Sequence, residues 1–392
     1  MSNVSLITLH RSANYGSVLQ ALATQVVLER MGYTVTVVDY YAPRNSVPEM
    51  LRGLKYKKPI FEKNPLALLI ARAVLLPSYL RRRRNFDRFI EKSLHLSQKT
   101  YRSNDELAGD LLTSDLYVTG SDQVWNSEWN GGIDEALFLA FTPDCALRVA
   151  FSASFGKENL EDDEISRTRE LLRRYDGITV REDTGVDIVR RLGLKATQVL
   201  DPTLFLTPED WKPWISGKRP HGEYILMYNI NHNAPLDRFV RRLSERKKLP
   251  VYYISYQLHD CFKRGRMRCC VPVEEFLSLI VNARYVVCDS FHCAAFSVNF
   301  NRDFAIVPPK RFGTRLESFM RVVGLESRIV DENNIDVFSK DIDWQNVNER
   351  LDREREYSLA AIKGVIAQAR TRETPRKVES VFGQQGFWDL FQ

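Results

Sequence analysis

Short β-branched runs alternate with amphipathic helical stretches along most of this chain, and that order constrains the fold more than any other feature. Val4 to Leu9 reads as a strand. Gly16 to Arg30 follows as a helix with Leu19, Leu22 and Val26 on one face, and Val35 to Asp39 is the next strand. A strand, a crossover helix and a further strand imply a parallel sheet with helices on its faces. Tyr41 to Asn104 interrupts the order as an insertion rich in Lys, Arg and Pro. Strands then resume at Asp115 to Thr119, Arg148 to Ala153, Gly177 to Val180 and Thr197 to Leu200, with helices near Asp162 to Tyr175 and Glu182 to Leu192. A second series gives strands at Tyr224 to Asn229, Val251 to Ser255, Tyr285 to Cys288 and Ala305 to Val307. Its helices are Pro235 to Lys247, Val273 to Val281, Phe291 to Asn299 and Thr314 to Val323. A long charged helix from Trp344 to Arg372 follows, with Leu351, Leu359, Ile362 and Ile366 as its spaced apolar positions.

The expected fold class is therefore α/β, two Rossmann-like domains facing across a cleft. The division is 1–210 for the first domain with its basic insertion 41–104, 211–220 for a linker carrying Pro213, Gly217 and Pro220, 221–343 for the second, and 344–392 for the terminal helix and tail. A chain of 392 residues is comfortable for two domains. With 44% hydrophobic and 27% charged residues it can bury a core, so disorder is not expected.

The formal charge of +6 suits anionic partners but is not that of a dedicated DNA binder, and no helix-turn-helix or zinc-finger spacing occurs, so no nucleic-acid partner is expected. Six scattered cysteines without a CxxC pair suggest reduced thiols and a cytoplasmic protein. The start, a strand-like run with no basic and apolar leader before it, shows no secretion signal. Leu66 to Leu80 is largely apolar but contains Arg72 and Pro77, and it is shorter than the roughly 20 residues of a spanning helix. Arg81, Arg82, Arg83 and Arg84 follow at once. The segment reads either as a buried helix with a solvated basic turn, or as a monotopic surface in which Leu66 to Arg84 contacts an anionic membrane.

In parallel α/β sheets ligands sit beyond the carboxyl ends of the strands, so the residues there are the candidates. His10 to Ser17 follows the first strand, and its small polar residues, Asn14 and Gly16 among them, would let a ligand approach helix N–H groups. A plain turn with Asn14 or Ser17 as N-cap fits equally. Gly120 to Asn126 offers Asp122 and Gln123 to sugar hydroxyls and Trp125 to a sugar face, or else simply caps the next segment. Arg181, at the end of another strand, could grip a carboxylate or phosphate, or pair with nearby acids. Asp289 to His292 supplies the best acid/base candidate among the six histidines, although a lone histidine is often structural. Lys310, Arg311 and Arg315 crowd before a helix, apt for a doubly charged anion or merely a solvated basic loop. There is no GxGxxG, GxSxG, P-loop, HExxH or DxD motif, and His259 and Cys261 have no partners at metal spacing.

Taken together, NYGSVLQALA (Asn14 to Ala23), VTGSDQVWN (Val118 to Asn126), FSASFG (Phe151 to Gly156), TVRED (Thr179 to Asp183), LDPTLFLT (Leu200 to Thr207) and DSFHCAAFS (Asp289 to Ser297) resemble the polysaccharide pyruvyl transferases, in order and spacing. The resemblance implies a GT-B-like fold, phosphoenolpyruvate as donor, phosphate as product, and neither cofactor nor metal. It implies a sugar acceptor on a lipid-linked precursor of capsule, exopolysaccharide or cell wall, hence a cytoplasmic enzyme peripheral to the inner membrane face. By the same resemblance His292 is the acid/base, and Arg181 with Ser290, Lys310 and Arg315 stands on the donor side. Asn14, Gly16, Asp122, Gln123 and Trp125 fall on the acceptor side. The residue after the histidine is commonly glycine and here is Cys293, which would narrow backbone approach to the donor. Two other readings stay open: a glycosyltransferase of the same fold using a nucleotide sugar, and a glycan-binding module that keeps Trp125 but does not need His292.

Overall fold

The computed structural model describes residues 2–56, 59–262, 264–308 and 313–371. Its first sheet contains β1 (Asn3–Ile7), β2 (Thr34–Tyr40), β3 (Leu96–Tyr101), β4 (Leu116–Thr119), β5 (Arg148–Ala153), β6 (Gly177–Val180) and β7 (Thr197–Gln198), in spatial order β3-β2-β1-β4-β5-β6-β7. The second contains β8 (Ile225–Tyr228), β9 (Val251–Ser255), β10 (Arg266–Cys269), β11 (Tyr285–Cys288) and β12 (Phe304–Ile306), in order β10-β9-β8-β11-β12. Every pairing is parallel. Strands covered on both faces read as continuous apolar runs, as in β4, β5, β8 and β11, each buried at every position. The two-Rossmann expectation holds, with two strands added. β3 lies in the stretch taken as an insertion, and β10 is the segment Arg266–Cys269, whose two arginines leave no apolar run to mark a strand. Both are edge strands, where polar and charged residues face water and apolar runs are not required.

The two halves are locked together rather than joined by a loose tether. Tyr15, on the helix Tyr15–Arg30, stacks on Phe276 with ring centroids 4.4 Å apart and donates its hydroxyl to the Val271 carbonyl at 2.8 Å. An aromatic pair of this kind contributes about 0.5–1.5 kcal/mol beyond its buried area. The expected linker starts with Trp211, which is fully buried, edge-on to Phe296 at 5.1 Å and hydrogen-bonded to the Thr203 carbonyl. The long helix Trp344–Thr371 returns to the first half, burying Leu351, Ile362 and Ile366. Ser358 Oγ accepts from the Leu200 N–H at 3.0 Å, and Val365 packs so closely on β6 that a Cβ at Gly177 would lie 2.0 Å from it.

Besides β3 and the short helices Val47–Gly53 and Pro59–Lys63, the insertion forms one long helix, Pro65–Ser93, with Asn64 capping the Ala67 N–H and Pro65 in the first turn, where its missing N–H costs nothing. The run of four arginines is not a solvated turn. Arg82 donates twice to the Ala13 carbonyl and lies 4.0 Å over the Tyr256 ring. Arg83 binds Asp87 and the Arg11 carbonyl. Only Arg81 and Arg84 of the four are exposed. No helix among the described residues is long and apolar enough to cross a membrane.

Candidate active site

Strand order reverses between β1 and β4 in the first sheet and between β8 and β11 in the second. These are the switch points at which parallel α/β sheets open a crevice. Gly16 follows β1, Asp122 follows β4, and His292 follows β11 at the start of the helix Phe291–Asn299. The two crevices meet: a Cβ built on Gly16 would stand 1.9 Å from His292 Nδ1. Gly16 therefore has no side chain because the imidazole fills that space.

On its other side His292 presents Nε2 to Asp201 Oδ2 at 3.6 Å. That nitrogen is buried and has no hydrogen-bond partner. Asp201, fully buried, also receives Arg181 Nη1 at 2.7 Å and the Thr203 N–H and hydroxyl. Burial raises the Asp201 carboxyl, but His292 and Arg181 outweigh it and hold it well below the usual carboxylate range. Asp122, at φ 66°, takes Arg181 Nη2 at 2.9 Å and the Ser17 hydroxyl at 2.5 Å. Its carboxyl is raised by burial and pulled down further by Arg181 and His292. Glu182 accepts from Ser154 Oγ and the Phe155 and Gly156 N–H groups through one oxygen, while the other makes no hydrogen bond and lies 3.7 Å from Arg181 Nε. Burial leaves its carboxyl higher than usual.

Arg181 is thus occupied. Two carboxylates clamp its guanidinium, and the Phe291 ring covers it at 4.7 Å. Arg315, on the helix Thr314–Val323, is different. Among the described residues no carboxylate pairs with it; its Nε, like that of Arg181, makes no hydrogen bond, and its other nitrogens face the Gln123 amide oxygen at 3.2 and 3.3 Å when that amide is oriented to accept. Burial, then Arg181, brings it down to about 10, so it remains a cation at neutral pH.

The structure brings together Gly16, Asp122, Gln123, Arg181, His292 and Arg315, and it places the remaining candidates elsewhere. Asn14 accepts from the Gly16 and Ser17 N–H groups as the N-cap, the simpler of its two readings. Trp125 is not offered to the cleft: its indole is buried against Phe138, Phe155 and Tyr175 in the core of the first domain. Ser290 is buried ahead of the His292 helix without a side-chain capping bond. Lys310, with Arg311, lies outside the described residues. Cys293 is wholly buried beside Cys288 within the main hydrophobic core. Ser17, at the end of the His10 to Ser17 segment, donates to Asp122 rather than capping the helix, and Asp201 joins the site although it is not among the sequence candidates. The signal was present, since Asp201 directly follows the last strand-like run of the first half. Among the described residues no three His, Cys, Asp or Glu side chains converge as metal ligands, the site's carboxylates being turned onto Arg181 instead.

Two parallel sheets with facing switch points define a GT-B fold, and the solved structures agree. The chain is similar to the O-GlcNAc transferase of Thermobaculum terrenum (13% identity, 96% of this chain and 69% of that one, TM-score 0.50). It is equally similar to MnaA of S. aureus, solved with UDP (13% identity, 92% and 91%, TM-score 0.50). At such identities the likeness shows the fold alone. Within that class the chain is more closely specified: it belongs to the polysaccharide pyruvyl transferase family, whose model matches residues 14–311. No curated protein matches it by sequence.

Proposed function

We propose that this chain transfers a pyruvyl group from phosphoenolpyruvate to two hydroxyls of one sugar in a lipid-linked precursor of a surface polysaccharide, releasing phosphate. The observation that carries this reading is the buried, unpartnered Nε2 of His292, facing the Asp201 anion where the two switch points meet.

The chemistry needs a proton donor and a cation. Protonation of the methylene carbon of phosphoenolpyruvate makes the adjacent carbon electrophilic. One sugar hydroxyl adds there and loses its proton. Phosphate leaves, and the second hydroxyl adds and loses its proton, closing a cyclic ketal. His292 supplies the first proton and accepts one back, with Asp201 orienting the ring. Arg315 neutralises the donor's carboxylate or phosphate through donors not already committed to an acid. Arg181 acts through its neighbours, fixing Asp122 and Asp201, and is a positioning residue in this account.

A nucleotide-sugar glycosyltransferase would use the same fold, so the donor must be tested directly. Thermal shift of the full chain is measured with phosphoenolpyruvate and, separately, with UDP- and GDP-sugars. The proposal expects stabilisation by phosphoenolpyruvate that disappears in Arg315→Gln. Stabilisation by a nucleotide sugar alone would contradict it.

A further inference from the structure

The solvent face of the helix Pro65–Ser93 changes character along its length. Leu66, Leu69, Ile70, Val74, Leu76 and Leu80 are all exposed, Leu66 by 64% and Leu69 by 63%. Their spacing puts them on one stripe of the helix. The opposite stripe is used for packing: Leu75 and Tyr79 are buried with Leu54, and Phe86, Phe89 and Ile90 join the main core. Beyond Leu80 the solvent stripe becomes cationic, with exposed Arg81, Arg84 and Arg88. Tyr56 and Lys55, the ammonium 5.6 Å over the ring, are exposed in the same insertion, as are Glu62 and Lys63.

We infer that this face docks the protein onto an anionic lipid bilayer, lying in the interface rather than crossing it. An aliphatic stripe about 20 Å long suits the boundary between headgroups and acyl chains, and the arginines that continue it suit lipid phosphates. A second copy of the chain suits it less well. An antiparallel copy laid stripe on stripe would cover the leucines but give Arg81, Arg84 and Arg88 no anionic partner, and a parallel one would oppose like charges. The docked face is coupled to the site, because Arg82 on the same helix holds the Ala13 carbonyl immediately before Asn14. The docking does not rest on the proposed reading of the site.

The test is flotation of the full chain with vesicles of phosphatidylcholine containing phosphatidylglycerol, and with phosphatidylcholine alone. Arg82 and Arg83 are left intact because they hold the fold. The intact protein should float with anionic vesicles. Leu69→Glu with Val74→Glu should reduce the bound fraction at least about tenfold. Arg81→Gln with Arg84→Gln should weaken binding to anionic vesicles about thirtyfold, with an unchanged melting temperature. No flotation of the intact chain, or equal flotation of all three proteins, overturns the inference. Light scattering that shows a dimer lost in the Leu69→Glu, Val74→Glu protein, without flotation, would assign the face to a second copy instead. Flotation is read without turnover, so its failure and a failure of the pyruvyl-transfer reading remain distinguishable.

Discussion

Gly16 and His292 touch across the two halves of the molecule: the space a Cβ on Gly16 would occupy is 1.9 Å from the imidazole Nδ1. Gly16 is in ordinary helical geometry, so glycine is needed there for the neighbour and not for the backbone. Gly16→Ala should therefore displace His292 while leaving the first helix intact. A misplacement near 1 Å costs on the order of 10²-fold in rate. Steady-state kinetics should show that loss in kcat, with an unaltered circular dichroism spectrum. Normal kcat would mean that the ring is free to shift.

His292 itself should matter more to turnover than to binding. His292→Ala is expected to lower kcat by roughly 10²–10⁴-fold, the usual range for a lost acid/base, with donor affinity largely retained. Unchanged turnover removes the histidine from the mechanism.

Arg181 and Arg315 should separate. Arg315→Gln should raise the KM for phosphoenolpyruvate with a smaller effect on kcat. Arg181→Gln leaves Asp122 and Asp201 buried without their partner, and its main cost should be stability, about 3–5 kcal/mol. Urea denaturation and donor titration of both variants check the division. A donor KM that responds only to Arg181 would reverse the assignment.

The same carboxylates predict how stability varies with pH. Asp201 and Asp122 titrate below the usual range when folded, and at about 3.9 when unfolded. As the pH falls below about 4, protons bind the unfolded chain first, so the stabilisation present above that pH is lost progressively on acidification. Urea midpoints between pH 7 and pH 3 should fall, and Asp201→Asn should flatten that dependence. An equally steep fall in the variant would place the acid-sensitive groups elsewhere.

Much of this was legible in the sequence, and the failures have physical causes. The central strands show themselves because burial on both faces demands apolar runs; the edge strands Leu96–Tyr101 and Arg266–Cys269 face water and carry no such mark. Strand ends pointed to Gly16, Asp122, Arg181 and His292, and the structure brings these four together, since topology alone draws those ends to one place. Trp125 misled because its chemistry suits a sugar while its neighbours decide where it points. Three aromatic rings pull the indole into the core. Trp125→Ala should accordingly cost about 3–5 kcal/mol of stability and leave acceptor KM unchanged at temperatures where the protein stays folded.

The most direct test of the central claim is release of inorganic phosphate from phosphoenolpyruvate in the presence of lipid-linked mono- and disaccharides, followed by mass spectrometry of the glycan. The account predicts acceptor-dependent release with a matching pyruvyl mass gain, lost in His292→Ala. Transfer of a sugar from a nucleotide donor to the same glycans, with phosphoenolpyruvate neither bound nor consumed, would contradict it.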